Sequence, residues 1–464
     1  MKRSKQANGA MMLEGGLGSR IGVWLALLIV ACFLLRLAAA WPGLAKAEAT
    51  FFRPDSELYY GMARSLLQEG RLAEAPGVAR LATARTPGYP LFLAGLLALF
   101  GRSVEGVVFA QLLISALTVV PIVLCGRILG GARAGWIAGG LWGLNITSIA
   151  AAPMILSDTL YTHFTAWQVY AFLRFWRRGS GAALGVSILM NALGTLIRPA
   201  GLFWVVPMAV IIMVQTRWGL WRRLLAVACG LLLTAAIWTP WMLRNARLGA
   251  GFRLETTIGT FLYYYNAAAV MAGVTGESST AIAERWMAED ERLFAEEPNR
   301  FADEASRVDH QVRQGLAIFK RHPVRWLLRY ANPLILLPDV PTFLENLGLT
   351  QTGQGTLGVL NSEGLLAAVR HYFAGRYFGL AMTVPLLLVV AVGYLLCGWQ
   401  LVRWLFQWRW DGLLLFAGLA LYFLVLSSPA PAPRYQLPAL PMLLAVAGTA
   451  ASKQVSVADD KVEA

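Results

Sequence analysis

Arg53-Pro54-Asp55-Ser56-Glu57-Leu58-Tyr59-Tyr60 is a short acidic stretch that follows the first hydrophobic segment of the chain. Nearly everything on either side of it reads as membrane. A carboxylate held at a bilayer surface has to be solvated, paired or used. Asp55 and Glu57 are therefore functional candidates, beside the plainer reading of solvated loop charges.

Composition supports that setting. Of the 464 residues, 57% are hydrophobic and 14% are charged, and mean hydropathy is +0.56. Soluble domains carry about 25% charged residues, so this composition predicts a polytopic membrane protein. The formal net charge is +14. In such a chain, excess Lys and Arg set topology and meet anionic membrane lipids. No basic tract with interleaved aromatics suggests nucleic acid. Cys32, Cys125, Cys229 and Cys397 lie inside apolar runs with no metal-ligand spacing, and the four histidines are scattered. The basic N-terminus leads into an apolar run over 21–40 with no clear cleavage site, read as a retained first span.

Further spans are expected near 105–128, 134–152, 158–175, 182–197, 200–214, 223–242, 378–402, 411–428 and 435–450. The predicted fold is an all-α transmembrane bundle of about ten spans, up to 12–13 if shorter apolar runs also cross. Alternation puts the short basic loops 127–133, 174–180, 217–223 and 403–409 on one side, the cytoplasm by the positive-inside rule. It requires the apolar runs 87–100 and 324–337 to lie along the interface. The chain then divides into an N-terminal transmembrane module over 1–243, with a first outer loop at 41–104. A periplasmic cap follows over 244–377, then C-terminal spans over 378–450 and a cytoplasmic tail over 451–464. Trp286, Leu293, Phe294, Phe301 and Val308 have helical spacing, so the cap should hold soluble helices near 281–320.

Acids and arginines converge on the outer face of this map. Asp55 and Glu57 lie in the first loop, and Asp158 follows Pro153-Met154-Ile155-Leu156-Ser157. Arg198 breaks an apolar run, Arg244 ends the seventh span, and Arg434 opens the last. Arginine forks suit phosphate oxygens. Arg198, Arg244 and Arg434, with Arg85 and Arg53 behind them, are the phosphate candidates, expected to have few acidic partners. Tyr59, Tyr89, Tyr264 and Tyr435 are candidates for contact with a sugar or acceptor. Plainer readings stand beside these. Arg198 and Arg434 fit snorkelling anchors, Asp158 fits a helix N-cap, and the Tyr263–Tyr265 run fits an interfacial belt.

The order of motifs resembles a family. Pro54-Asp55-Ser56-x-x-Tyr59-x-x-x-Ala63-x-x-Leu66 is followed by Thr86-Pro87-Gly88-Tyr89-Pro90-Leu91-Phe92-Leu93-Ala94 and Phe100-Gly101. Leu156-Ser157-Asp158-Thr159-Leu160, Pro240-Trp241-x-x-Arg244-Asn245 and Arg434-Tyr435-x-x-Pro438 come later. From about 22 to 450 the chain resembles the GT-C membrane glycosyltransferases. It is most similar to the bacterial branch related to protein O-mannosyltransferases and the lipid A aminoarabinose transferase. That branch's usual Glu is Asp158 here, and Ser56 separates what is an Asp-Glu pair in the dolichyl-mannose enzymes. The resemblance implies inverting transfer from a polyprenyl-phosphate sugar to an outer-face acceptor: lipid A, another glycan, or protein. Asp55 would be the base, with Glu57 and Asp158 orienting acceptor or sugar. No cofactor is required, and the scattered acids do not form an obvious octahedral site for a divalent metal. An O-antigen-ligase-like transferase or a lipid-linked glycan transporter is the alternative, although transporters usually carry internal repeats and mid-membrane charges, which are not evident here.

Overall fold

The structure, a computed structural model, describes residues 2–349, 359, 363–364, 366–367, 370–371, 377–427, 429 and 432–452. Among them every regular element is helical, as expected, and the one strand-like pairing is an isolated bridge between Ala73 and Leu81. Most of 350–376 in the expected cap, and the expected tail from 453 onward, lie outside the described residues.

Five helical stretches are long and apolar enough to cross a membrane by length and composition: Gly22–Leu44, Val104–Gly143, Leu220–Arg247, Phe378–Phe406 and Trp410–Ser427. The second is a hairpin and not one rod. Gly130 and Gly131 leave helical geometry, and Gly131 has φ +79°, a conformation that residues with a Cβ seldom adopt. The two arms then fold back so closely that a Cβ on Gly126 would lie 2.8 Å from the Ala134 carbonyl oxygen. This turn falls within the predicted basic loop 127–133.

The shorter or more polar stretches Asp158–Arg178, Gly181–Ile197, Pro199–Val214 and 433–450 follow in the order of the remaining expected passes. Contacts fix the two ends. At one, Arg217 donates to the Arg177 carbonyl and Trp218 packs on Phe175 at 5.1 Å. At the other, Arg198 reaches Asp158, and the Asp339 amide donates to Thr147 Oγ1 at 3.1 Å. The short basic turns thus share one end of the bundle, and the acids and arginines gather at the opposite end.

Gly88–Leu99 has 12 residues. At about 1.5 Å per residue it cannot span roughly 30 Å of hydrocarbon. The expected run 324–337 breaks into Pro323–Arg329 and Pro333–Leu336, shorter still. The cap helices are Ser279–Glu296 and Glu304–Arg321. They close over a core of Tyr263, Tyr264, Ala267, Val270 and Phe319.

One charge lies deep in the bundle. Arg36 is fully buried, with Nε donating to Ser115 Oγ at 2.7 Å and Nη2 to Ser148 Oγ at 2.9 Å. Its remaining N–H groups reach the carbonyls of Cys32, Trp142 and Gly143. The last two lie at a helix C-terminus, where a cation is favoured.

Candidate active site

Asp55 owes its position to a helix start. Pro54 opens helix Pro54–Glu69 at a position where its missing N–H costs nothing, and Ser56 Oγ accepts from the Arg53 amide at 2.8 Å. Asp55 then projects from the first turn with its side chain 45% exposed, and Arg85 Nη2 donates to its Oδ1 at 2.7 Å. Glu57, two residues on, is exposed on another face of the helix. Arg85 also lies 5.8 Å from the Tyr59 ring centre, and its buried Nε has no acceptor among the described residues.

A carboxyl that the sequence reading passed over joins this group. Glu255, in the turn after the long helix Leu220–Arg247, sits among Arg85, Arg198, Asp55 and Thr257. Burial raises its carboxyl above the usual range, and the Arg85 charge opposes that rise. Tyr59 is buried, close to Arg85, Arg198 and Ser157, and so links Asp55 to a second cluster.

That cluster centres on Asp158, buried at the start of helix Asp158–Arg178. Its carboxylate does not serve as an N-cap. Arg198 Nη1 donates to its Oδ1 at 2.7 Å, and Arg434 Nε stands 3.7 Å from Oδ2. Arg198 ends helix Gly181–Ile197, where Pro199 forces a break, so its side chain crosses to the neighbouring helix start. Tyr435 braces both guanidinium groups, at 4.8 Å from Arg198 and 5.1 Å from Arg434. Arg434 Nε is buried without a hydrogen-bond partner among the described residues. Its approach to a carboxylate is longer than those of Arg53, Arg85 and Arg198.

The segment 337–346 completes a cleft beside Asp158. Arg53 pairs with Glu345 at 2.5 Å. Asp339 is buried, and burial raises its carboxyl above the usual range. Gln436 ties the turn carrying Arg434 to this segment, donating to the carbonyls of Leu337 and Pro433, each at 2.9 Å.

Other candidates are held elsewhere. Arg244 is spent on backbone: its N–H groups reach the Ala82 carbonyl at 2.5 Å and the Leu72 carbonyl at 3.2 Å. It fastens the loop before Arg85 and offers no open fork. Tyr89 is fully buried, donating to Gln111 Oε1 at 2.7 Å, and so faces no substrate space. Tyr264 lies in the cap core, donating to Asp290 Oδ2 at 2.6 Å and accepting from Gln311. The expectation of arginines with few acidic partners also changes. Arg53, Arg85 and Arg198 pair with Glu345, Asp55 and Asp158, and of these acids Glu345 lies in a region with no sequence mark.

Residues 84–243 match the family model described as dolichyl-phosphate-mannose-protein mannosyltransferase. No curated protein matches by sequence. Among solved structures, the oligosaccharyltransferase of Archaeoglobus fulgidus in its apo form aligns with a TM-score of 0.50 at 13% identity, over 92% of this chain and 50% of that one. AglB from the same organism, in complex with an inhibitory peptide and a dolichol-phosphate, gives 0.49 at 13% identity over 92% and 50%. ArnT from Cupriavidus metallidurans bound to undecaprenyl phosphate gives 0.41 at 17% identity over 92% and 76%. The chain thus spans half the length of the archaeal enzymes it resembles. The chain shares the all-helical GT-C fold of the Archaeoglobus fulgidus oligosaccharyltransferase, and its residues 84–243 are similar to the dolichyl-phosphate-mannose-protein mannosyltransferase family.

Proposed function

We propose that the protein is an inverting glycosyltransferase working at the periplasmic face of a bacterial inner membrane. It would take a sugar from a polyprenyl-phosphate carrier and give it to a hydroxyl of lipid A, a surface polysaccharide or a protein. The observation that carries this reading is the half-exposed Asp55 carboxylate, held by Arg85 at 2.7 Å, at the end of the bundle where Arg198 and Arg434 gather on Asp158. The family match over 84–243 supports a lipid-phosphate sugar as donor.

The chemistry follows from the placement. The prenyl chain stays in hydrocarbon, so the phosphate lies near the end of the bundle where the arginines are. The acceptor oxygen attacks the anomeric carbon while its proton passes to Asp55. The bond from that carbon to the phosphate oxygen breaks, and polyprenyl phosphate leaves. Arg434, farther from its carboxylate than Arg53, Arg85 or Arg198, takes the charge that develops on the leaving oxygen. Arg198 is held by Asp158 and Tyr435 in a fixed orientation, so its field needs no rearrangement during the reaction. The Arg85 charge acts on both Asp55 and Glu255.

Deleting the gene and comparing envelope lipids, polysaccharide and proteins by mass tests the reading. A sugar-sized loss in one fraction, restored by the wild-type gene and not by Asp55→Asn, is the expected result. An unchanged envelope would remove the proposal.

A further inference from the structure

We infer that Glu255 is a positioning residue for the transfer step: it receives Arg85 when Asp55 accepts the proton of the acceptor hydroxyl. This rests on the reading of Asp55 as the base and adds the partner that such a base requires.

Charge balance sets the requirement. Arg85 Nη2 donates to Asp55 Oδ1 at 2.7 Å, and the Arg85 side chain is 19% exposed. A carboxylate that accepts from a guanidinium holds a proton less firmly. Once the acceptor's proton lies on Asp55, Arg85 faces a neutral acid, and a largely buried cation without a counter-charge is costly. A second carboxylate that can take Arg85 relieves both difficulties. The carboxyls whose charges act on Arg85 are those of Asp55 and Glu255.

The geometry holds the second pair ready and unmade. The Thr256 amide donates to the Thr83 carbonyl at 3.1 Å, which ties the turn carrying Glu255 to the loop carrying Arg85. Asn245 Nδ2 donates to the Arg253 and Leu254 carbonyls at 3.0 and 3.2 Å, and Trp241 Nε1 donates to the Leu254 carbonyl at 2.8 Å. The backbone at Glu255 is thus fixed from the long helix Leu220–Arg247, while its carboxyl has the Thr257 side chain as hydrogen-bond partner. Arg85 and Arg198 give their ion pairs to Asp55 and Asp158, at 2.7 Å each, and neither closes on Glu255. Arg85 Nε is buried with no acceptor among the described residues, so its pairing with Asp55 leaves one N–H unused. A carboxyl kept for stability alone would serve better closed on one of the two arginines. The charged and titratable groups that face Glu255 are Arg85 from the loop, Asp55 and Tyr59 from helix Pro54–Glu69, and Arg198 from the end of helix Gly181–Ile197. Burial raises the Glu255 carboxyl and the Arg85 charge opposes that rise, so the ionised form that draws Arg85 is supplied as pH rises.

The test measures initial sugar transfer in right-side-out membrane vesicles from a deletion strain carrying wild type, Glu255→Gln, Glu255→Asp or Asp55→Asn. The donor is the carrier lipid already in those membranes, and the product is the mass-shifted envelope fraction. The wild-type rate should rise between about pH 4.5 and 8 as Glu255 ionises. Glu255→Gln should lose that rise and be slower by roughly 10-fold at its top, about one hydrogen bond to a charged group. Glu255→Asp keeps the charge and should recover the rise and part of the rate. If Asp55→Asn is inactive while Glu255→Gln matches the wild type, or loses the same fraction at every pH, the inference is overturned and the base reading stands. If Asp55→Asn transfers normally, or wild-type vesicles make no product, both fall together. A second readout needs no transfer: the thermal midpoint of Glu255→Gln relative to its parent. It should climb with pH in the wild-type background, stop climbing in Asp55→Asn, where Arg85 is released, and climb again when Arg85→Met is added. The Asp55 charge is the smallest of these influences on Glu255, so its loss without movement of Arg85 would leave most of the climb. An undiminished climb in Asp55→Asn also overturns the inference.

Discussion

At the scale of single residues, Asp55 and Glu255 illustrate what a chain reveals and what it hides. Asp55 is legible because an acidic stretch follows the first span, and the structure sets it against Arg85 at 2.7 Å. Replacement by Asn keeps its size and removes its basicity, so turnover should fall by roughly 10²–10⁴-fold while the protein still purifies folded. Sugar transfer by the purified variant checks this. Arg434→Lys should weaken donor binding, because a point charge does not replace a planar fork. Glu255 was not legible. Nothing in Arg253-Leu254-Glu255-Thr256 marks it, and only folding brings it beside an arginine 170 positions earlier. Its raised carboxyl makes a prediction with a definite sign. The folded state favours the neutral acid, so its contribution to stability is intact below the unfolded value near 4.5 and is lost as pH rises through the higher folded value. Glu255→Gln stays neutral throughout. Its thermal midpoint relative to wild type should therefore climb from pH 4.5 towards 7.5. A constant difference across that range would mean that Glu255 does not titrate in the folded protein.

At the scale of elements, helix existence was legible because apolar runs and their basic turns repeat along the chain. The register of one helix on another was not. Leu440–Ala450 packs on the hairpin arm near Ala134 so closely that a Cβ on Gly448 would stand 2.2 Å from the Ala134 carbonyl oxygen. Gly448→Ala must push two backbones apart and should cost about 1–3 kcal/mol. Arg36 likewise hid within an apolar run, and its purpose shows only against the carbonyls of Trp142 and Gly143. Arg36→Met takes the donor from the Gly143 carbonyl and the partner from the Ser115 hydroxyl, whereas the Trp142 carbonyl and Ser148 Oγ keep other partners, at about 1–3 kcal/mol for each buried group left unsatisfied. Thermal unfolding in detergent should show a lower midpoint for both variants, with Arg36→Met the more severe. The cap shows the opposite error. Its helices were legible from the spacing of Trp286, Phe294 and Phe301, but Tyr264 was assigned to substrate contact. It serves the cap core, bonded to Asp290, which His310 also approaches at 3.2 Å.

At the scale of the whole molecule, the two ends of the bundle differ in charge chemistry, and that difference carries an expectation about orientation. One end gathers short basic turns, such as the contact between Arg217 and the Arg177 carbonyl. The other gathers Asp55, Asp158, Arg198 and Arg434 with the cap above them. The positive-inside bias applies to short loops near span ends, which describes the first end and not the second. The cap reinforces this assignment. Arg80 and Thr83 in the first outer loop both reach Glu304 at the start of cap helix Glu304–Arg321, at 2.9 and 2.6 Å. The first loop and the cap must therefore lie on the same side of the membrane. Reporter fusions at Ser180 and Ala305 should give opposite signals, cytoplasmic for Ser180 and external for Ala305, and a fusion near Val78 should agree with Ala305. If Ser180 and Ala305 reported the same side, the number of passes between them would be even. The chain runs between these positions through Gly181–Ile197, Val205–Val214 and Leu220–Arg247, an odd number of passes. One of the three would then have to stop short of crossing, and Val205–Val214, at 10 residues, is the weakest of them. That result would place Asp158 and Glu304 on opposite faces and dissolve the site itself.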